Sequence, residues 1–468
     1  MMARIYGLET EYGLAHTAEP EGRRIGPEEI ARYLFRPVVE WGRSSNVFLP
    51  NGSRLYLDVG SHPEYATAEC DDLGDLLAQD RAGEALMIDL LDQAQSALEA
   101  DGIGGRVHMV KNNTDAAGNS YGSHENFLIR RTLDFNRLTT VLLPFLVSRQ
   151  LLVGAGAVIP RRSAFTPDEE ADRSEMMFGL SARSDVMWEG LSSATTRSRP
   201  IINARDEPHA DAEKYRRLHV IVGDSSMSTA TSALKIGSAV LMLDLIEQGA
   251  RIPENGLRHP VRDIRLVARD LTGQVVLERT DGTTTTPLGL LGDYRDRAQR
   301  LVETGEHSLG DDDLAHYVID LWTRMLSAVE AQDFTSVDTE IDWVMKRTLI
   351  ERSMQRGTTD IADARIHRLD IAFHDITPAT GLFPKLEAAG MAKNLVPVEA
   401  AERAKDAPPA STRAAVRGEF VRAAHAARRD YTVDWVHLRL NDESGRAVAL
   451  KDPFATTHPQ AEALIAGL

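Results

Sequence analysis

The start of the chain carries a strict alternation of side chains that a β-strand satisfies and a helix does not. Aromatic and aliphatic residues fall on one side of an extended chain, and glutamates and glycines fall on the other. The apolar side has Tyr6, Leu8, Tyr12 and Leu14, and the opposite side has Gly7, Glu9, Glu11 and Gly13. We therefore predict a strand that buries one face and presents two acids on the other.

A second strand with one polar face is predicted at residues 54–59. There Leu55, Leu57 and Val59 point one way, and Arg54, Tyr56 and Asp58 point the other way. Further strands are predicted at 127–131, 201–204 and 218–222, and helices at 73–98, 140–152 and 311–355. Strands with polar faces, separated by long insertions, predict an α+β fold whose antiparallel sheet carries chemistry on its concave face and is flanked by helices.

Composition excludes several classes of protein. The net charge of -17 argues against non-specific binding to nucleic acid or to an anionic membrane, because both need a basic surface. The single cysteine, Cys70, excludes an intramolecular disulfide and a zinc site built on several cysteines. We find no signal peptide and no uninterrupted apolar run long enough to cross a bilayer, so we predict a cytoplasmic protein.

The acids of the first strand form the first candidate site, together with Glu64 and Glu69. Carboxylates that converge on one sheet face repel each other unless cations lie between them, and oxygen ligands favour magnesium or manganese. Acids on a solvated strand face are the alternative. The sequence lacks both common glycine-rich phosphate-binding loops, so metal ions and arginines would have to hold the phosphates of any bound nucleotide.

The polar face of the second strand is the next candidate. Arg54 could bind a phosphate, and Asp58 could accept a proton from an amine, although an Arg54–Asp58 surface pair fits the spacing equally well. The segment 123–126 contains His124 and leads into another strand.

Three arginines form the last candidate cluster. For two aromatic side chains, His219 and Trp435, the sequence allows either a core position or a position at the site. The arginines Arg197, Arg199 and Arg205 could clamp phosphates or belong to a solvated loop. His219 lies in an apolar strand, where a satisfied core histidine is the commoner case. Trp435 could stack on a purine, although the sequence favours a core position.

Several long motifs resemble the Pup ligase family. They are residues 7–13, 43–49, 54–65, 111–126, 193–228 and 434–454, and the resemblance covers essentially the whole chain. It implies a glutamine-synthetase-like catalytic domain at 1–403 and a small C-terminal domain at 404–468 that contributes to the nucleotide site. The boundary coincides with a Pro-, Ser- and Thr-containing stretch at 404–413 that we interpret as a linker.

The resemblance also implies an activity. In this family, ATP phosphorylates the γ-carboxylate of the C-terminal glutamate of Pup, a ubiquitin-like protein. A lysine ε-amine of a second protein then attacks the acyl phosphate to form an isopeptide bond, which marks that protein for proteasomal degradation. The implied cofactors are ATP and Mg2+, and the implied partners are Pup and lysine-bearing proteins. We expect a groove with basic and apolar residues to receive a Pup helix.

Site residues follow from the resemblance position by position. Glu9, Tyr56 and Glu64 resemble the magnesium-site residues, Arg54, Thr67 and Trp435 resemble the ATP contacts, and Asp58 resembles the catalytic base. We expect Glu11, Glu69, His124, Arg197, Arg199, Arg205 and His219 to lie near the nucleotide or metals.

Three alternatives to the ligase remain. The homologous Pup deamidase and depupylase differs by an extra loop after the first strand and by a different segment after the aspartate. Here the interval from Glu11 to Arg54 is compact and contains the ligase-type segment 41–46, which favours the ligase. A scaffold that only binds Pup would not need the metal and phosphate residues. A small-molecule γ-glutamyl ligase would not explain the similarity at 434–454.

Overall fold

A computed structural model of the chain describes residues 3–58, 60–114, 119–163, 175–194, 199–250, 252, 256–357, 360–442 and 445–468. Among these residues, eight strands form one sheet in the order β10-β11-β12-β7-β1-β5-β4-β3. The strands are β1 (Tyr6–Glu11), β3 (Asn46–Phe48), β4 (Arg54–Asp58), β5 (His62–Ala66), β7 (Ser123–Arg130), β10 (Glu189–Ser192), β11 (Pro200–Asn203) and β12 (Tyr215–Val220). All neighbours pair antiparallel except β10 and β11, which are parallel.

Nine further strands lie outside this sheet in the described part of the chain. They are β2 (Gly13–Thr17) with β6 (Arg106–Val110), β8 (Ala157–Pro160) with β9 (Met176–Gly179), β13 (Leu277–Glu278) with β14 (Thr284–Thr285), and the three-stranded set β15 (Tyr431–Val433), β16 (His437–Leu440) and β17 (Ala447–Ala449). The predicted first strand therefore stops at Glu11, and β2 leaves the large sheet to pair with β6.

The described part of the chain contains fourteen α-helices, several of which pack against one face of the large sheet. They are α1 (Pro27–Gly42), α2 (Leu73–Ala100), α3 (Phe135–Ser148), α4 (Gln150–Val153), α5 (Thr229–Glu247), α6 (Pro260–Ala268), α7 (Pro287–Thr304), α8 (Asp312–Ala331), α9 (Asp342–Gly357), α10 (Ala364–Phe373), α11 (Leu382–Ala388), α12 (Val398–Asp406), α13 (Ala414–Ala426) and α14 (Pro459–Ala466), with a short 3-10 helix at Arg183–Val186. The predicted helices at 73–98 and within 311–355 are confirmed, whereas the apolar run at 140–152 is divided between α3 and α4.

The main core forms where the apolar faces of the strands meet these helices. Tyr6 and Leu8 of β1 and Phe127 of β7 pack in one cluster with side chains of α3, α5, α7 and α8. Since successive strand residues point to opposite faces, burying these residues leaves Glu9 and Asn126 on the other face. The hydrophobic pattern therefore determines which residues the sheet presents for chemistry, and it confirms the predicted α+β fold.

Helix α5 is the centre of this core. It is long and apolar enough to cross a membrane by length and composition, although Lys235 and Asp244 interrupt the apolar run, and its apolar window is entirely buried inside the protein. The Ser228 hydroxyl caps its N-terminus by accepting hydrogen bonds from the backbone N–H groups of Ala230 and Thr231. A buried core helix explains the apolar run fully.

The C-terminal elements form a small cluster of their own. Phe420 of α13, Leu438 of β16 and Leu464 of α14 are buried together in it. The predicted domain boundary between 403 and 404 lies inside α12, and the division into two domains stays a prediction.

Candidate active site

Four neighbouring strands place polar side chains on the face of the sheet that the main core does not cover. Glu9 of β1 lies opposite His124 of β7, and Glu11 lies opposite Glu64 of β5. On the next strand, Tyr56 also lies opposite Glu64. The candidates at 9–11, 54–58, 62–64 and 124–126 are thus brought together by strand pairing, although they come from four separate parts of the chain.

The first group of candidate metal ligands is Glu9, His124 and His219, whose ligand atoms all lie within 4.8 Å of one another. The distance from Glu9 Oε2 to His124 Nδ1 is 3.2 Å, and to His219 Nε2 it is 3.7 Å. His219 therefore faces the site, whereas the sequence favoured a satisfied core histidine. Its Nε2 is buried and has no hydrogen-bond partner among the described residues, so it fits the role of a ligand.

The surroundings of Glu9 and His219 favour an ionised carboxylate and a neutral imidazole, the protonation states in which both side chains can bind a cation. Burial alone would raise the pKa of Glu9, but the hydrogen bond from His124 and the positive charges of His124 and Arg217 outweigh it and lower that pKa well below its usual value. Burial lowers the pKa of His219 to about 3, which leaves its imidazole neutral. A carboxylate beside a neutral imidazole is a suitable pair of ligands for a divalent cation.

The second group is Glu11, Asp58 and Glu64, and their carboxylate oxygens also lie within 4.8 Å of one another. Asp58 is at the exposed end of β4, whereas Glu11 and Glu64 are buried. Burial and the charges of Glu9 and Glu11 raise the pKa of Glu64 well above its usual value. A divalent cation would remove this repulsion and allow all the carboxylates to ionise together, so the residues fit a magnesium site.

Neighbouring groups hold the second set of acids in place. The Tyr56 hydroxyl donates a short hydrogen bond to Glu64, and burial together with the charges of Glu9 and Glu64 raises the pKa of that phenol. His62 Nδ1 lies 3.2 Å from Glu11 Oε2. Gly122 leaves room for the group, because a Cβ atom there would lie 2.5 Å from Glu11 Oε1 and 2.6 Å from His124 Nε2.

A cleft of about 570 Å³ opens beside the acids. Leu8 and Thr67 contribute to its floor, and the Thr67 hydroxyl accepts a hydrogen bond of 3.0 Å from the Leu8 backbone N–H. Other lining residues come from the loop before β12, from β12 itself and from the C-terminal elements; they include Pro208, His209, Arg217, Arg413, Trp435 and Pro453.

Trp435 stands at the border of this cleft and is half-buried there. Its ring meets Phe48 edge to face, with 4.9 Å between centroids, and the Arg417 guanidinium lies 5.0 Å from the ring centre. The core position favoured by the sequence is therefore wrong. An aromatic ring at the border of a cleft is available for stacking on a purine.

Arg54 is close to the acids but does not line the cleft. Its Nε donates to Asn46 Oδ1 at 2.9 Å, and its guanidinium lies 4.1 Å from the centre of the Tyr56 ring. These two contacts orient the side chain on the polar face of β4, where its remaining donors can reach an anion.

Glu69 belongs to neither group of candidate metal ligands, although the sequence analysis had placed it with the metal-binding acids. Its carboxylate lies at the cleft but is paired with Arg413 and Arg417 of the C-terminal elements. Burial would raise the pKa of Glu69, but the charges of Arg417 and Arg413 dominate and lower it to about 2. With both guanidiniums in place, Glu69 has little capacity left for a cation.

The predicted arginine cluster is only partly placed at the site. Arg197 lies outside the described residues. Arg199 has a positive φ of 31°. Burial lowers the pKa of the Arg183 guanidinium, and the nearby charge of Arg199 lowers that pKa further. Arg205 is about half exposed, with Nη1 3.5 Å from Glu207 Oε1.

Arg217 is the arginine that the sequence analysis missed. It lines the cleft, its Nη1 donates to Asn126 Oδ1 at 3.1 Å, and the same nitrogen lies 3.7 Å from Glu9 Oε1. A signal was available, because Arg217 precedes His219 by two residues on one strand and must share its face. It adds a positive charge between the acids and the cleft.

Comparisons with known proteins agree with this geometry. Residues 4–439 match the family model described as Pup-ligase protein. The chain is 52% identical to the Pup–protein ligases of Rhodococcus opacus (strain B4) and Nocardia farcinica (strain IFM 10152), with 100% of each chain covered in both cases.

Two solved structures are also similar to the chain. A crystal structure of the complex between prokaryotic ubiquitin-like protein Pup and its ligase PafA matches with a TM-score of 0.92 at 43% identity, covering 99% of this chain and 91% of that one. The Pup ligase PafA in complex with ADP matches with a TM-score of 0.85 at 43% identity, covering 96% of each chain. The fold, the arrangement of the polar sheet face and these matches together establish that the chain belongs to the Pup ligase family.

Proposed function

We propose that the chain is an ATP-dependent ligase that joins Pup, through the γ-carboxylate of its C-terminal glutamate, to lysine ε-amines of other proteins. The observation that carries this proposal is the position of Asp58, which stands at the exposed end of β4 beside the buried acids Glu11 and Glu64, on the sheet face whose Glu9 lines the cleft. The relatives support it, because they are named Pup–protein ligases and one solved relative is a complex with ADP. The conjugates would be substrates for proteasomal degradation.

The first step would form an acyl phosphate. The purine of ATP would lie in the cleft against Trp435 and near Thr67, with its phosphates directed towards the polar face of the sheet. Arg54 and Arg217 would neutralise charge on the phosphoryl oxygens. A γ-carboxylate oxygen of Pup would attack the γ-phosphorus, the bond to the β-phosphate would break, and ADP would leave.

The second step would form the isopeptide bond. A lysine ε-amine would attack the carbonyl carbon of the acyl phosphate, Asp58 would take a proton from the nitrogen, and inorganic phosphate would leave with the bonding electrons. Asp58 suits this role because it is the most exposed of the three acids in its group, so an incoming lysine can reach it. Activation is required because a free carboxylate is a poor electrophile.

Divalent cations would be held by Glu9, Tyr56 and Glu64, and the geometry adds Glu11, His124 and His219 to these candidates. When bound, Mg2+ would supply positive charge that shields the phosphates from the carboxylates. In this proposal residues 1–403 carry the sheet face, residues 404–468 contribute Trp435, and the protein acts in the cytoplasm on Pup and lysine-bearing proteins. The groove expected to receive a Pup helix stays a prediction.

The direct test is a conjugation assay on denaturing gels. The protein, ATP, Mg2+, Pup ending in glutamate and a lysine-bearing acceptor are expected to produce a band larger by the mass of one Pup. Omitting ATP should remove that band. Release of Pup from a preformed conjugate, without any formation of new conjugate, would instead identify a depupylase and would contradict the proposal.

Metal removal should stop the reaction through the acid groups. With excess chelator, conjugation is expected to fall to background and to recover when Mg2+ is restored, because Glu9, Glu11 and Glu64 then repel each other and the phosphates. Glu9→Gln should require a higher Mg2+ concentration for half-maximal activity. If chelator had no effect, or Glu9→Gln left the Mg2+ dependence unchanged, this assignment of the acids would be wrong.

A further inference from the structure

Two buried arginines of the C-terminal elements meet one carboxylate of the catalytic sheet. Arg413 Nε lies 2.9 Å from Glu69 Oε1, and Arg417 Nη1 donates to the same oxygen at 3.0 Å while its Nη2 donates to Oε2. Glu69 is 8% exposed, Arg413 is 2% exposed and Arg417 is fully buried. We call these three residues the Glu69 cluster. None of the reaction steps above uses it.

Arg413 connects three separate chain segments, two of which line the cleft. Besides Glu69, its Nη1 donates to the Leu450 carbonyl at 2.7 Å and its Nη2 donates to the His209 carbonyl. Leu450 follows β17, and His209 lines the cleft from the loop before β12. The Arg413 side chain therefore links Glu69, which follows β5, to Leu450 of the C-terminal elements and to His209 of the loop before β12.

Arg417 holds the aromatic border of the cleft in a similar way. Its guanidinium donates to the Gly52 carbonyl at 2.9 Å and to the Trp435 carbonyl at 3.2 Å. The same group lies 5.0 Å from the centre of the Trp435 ring and 5.1 Å from that of Phe48. Rotation or displacement of Arg417 would therefore move both the backbone and the ring of Trp435.

The burial and the contacts of Arg417 favour a role in setting the geometry of the cleft over a role in stability alone. A guanidinium removed from water needs a partner for every donor, and the described contacts of Arg417 provide carboxylate and carbonyl acceptors across three chain segments. The fork geometry of arginine also fixes directions, which a lysine ammonium does not. The contacts thus constrain distances between the cleft walls as well as binding the segments together.

We infer that the Glu69 cluster positions the C-terminal elements so that Trp435 and Arg413 close the nucleotide cleft at a width that fits the base. Glu69 and Arg417 are positioning residues in this inference, since they act through Trp435. The inference rests on the proposed function, because it assigns this cleft to ATP. Its signature is a change in ATP affinity with little change in the rate of the chemical steps.

The test compares ATP binding by three single variants of the full chain with ATP binding by the wild-type protein. Arg417→Lys keeps the charge and loses the fork, and Glu69→Gln keeps the shape and loses the charge. Arg422→Lys on the same helix is the matched control, because Arg422 is exposed and, among the described residues, its side chain donates to the Asp406 carbonyl. Titration calorimetry with ATP and Mg2+ alone measures affinity without Pup, and the conjugation assay gives KM and kcat.

Arg417→Lys and Glu69→Gln are expected to weaken ATP binding by about tenfold and to raise KM for ATP to match, with kcat at saturating ATP within about threefold of the wild type. Arg422→Lys should behave as the wild type. Lower melting temperatures with unchanged ATP affinity would show a merely structural cluster and would overturn the inference alone. A wild-type protein that binds no ATP would overturn the proposed function and this inference together.

Discussion

Asp58→Asn is expected to lower the rate of conjugation by about 10²- to 10⁴-fold, the usual contribution of a general base. Asparagine preserves the size of the side chain but cannot accept the proton that the lysine nitrogen must lose. Asp58 is at the exposed end of β4, outside the buried core, so the fold should tolerate the change. The measurement is the initial rate of conjugate formation at saturating ATP, Pup and acceptor.

Nucleotide binding separates this loss from damage to the site. Because Asp58 does not line the cleft, the variant should bind ATP about as well as the wild type. Asp296→Asn is a suitable control, since its side chain is 61% exposed on α7 and pairs only with the neighbouring Arg295 in the described contacts. Conjugation by Asp58→Asn within about threefold of the wild-type rate would rule out the base role.

The polar face of the sheet could be predicted from the sequence because strand alternation is a local property. The period of two placed Glu9 with Glu11 and Arg54 with Asp58, and β1 and β4 confirm both pairs. The same rule applied to the segment 123–126 would have directed His124 and Asn126 to the site and Glu125 to the core. It would also have found Arg217, had His219 been interpreted as facing the site.

The Glu69 cluster could not be predicted, because Glu69 is more than 340 positions away from both arginines in the chain. No periodicity links a carboxylate after β5 to the arginines just before and within α13, and only the tertiary fold brings them together. The stretch at 404–413 was interpreted as a linker from its composition, yet Thr412 and Arg413 at its end are buried. Their contacts with Glu69 explain the difference, since the Thr412 hydroxyl also donates to the Glu69 carbonyl.

The position of Trp435 also depends on a contact with a residue that is distant in the sequence, Phe48. From the sequence alone, a tryptophan before a short strand in a small C-terminal unit is most simply assigned to that unit's core. The core there is formed instead by Phe420, Leu438 and Leu464. Trp435 meets Phe48, which belongs to β3 of the large sheet. A residue whose main contact lies in another part of the fold is beyond the reach of local patterns.

Arg149→Ala is expected to reduce the free energy of unfolding by about 3–5 kcal/mol, because it would leave a buried carboxylate without its partner. Arg149 Nη1 and Nη2 donate to the two oxygens of Glu125 at 2.8 and 2.6 Å, and the side chains are 2% and 0% exposed. Glu125 points from β7 into the core, away from the face that carries His124. The loss should therefore appear as instability and not as a specific defect in ATP binding.

Urea titration of the purified protein measures this effect. Arg23→Ala is the matched control, since Arg23 is 61% exposed and pairs with Glu29 at the surface, where such a pair should contribute at most about 1 kcal/mol. If Arg149→Ala does not fold, Glu125→Gln with Arg149→Met supplies the second measurement. Removing both charges avoids an unpaired buried ion, so the double variant should fold and lose less stability than the single one. A double variant as unstable as Arg149→Ala would show that lost packing, and not the unpaired charge, is the cause.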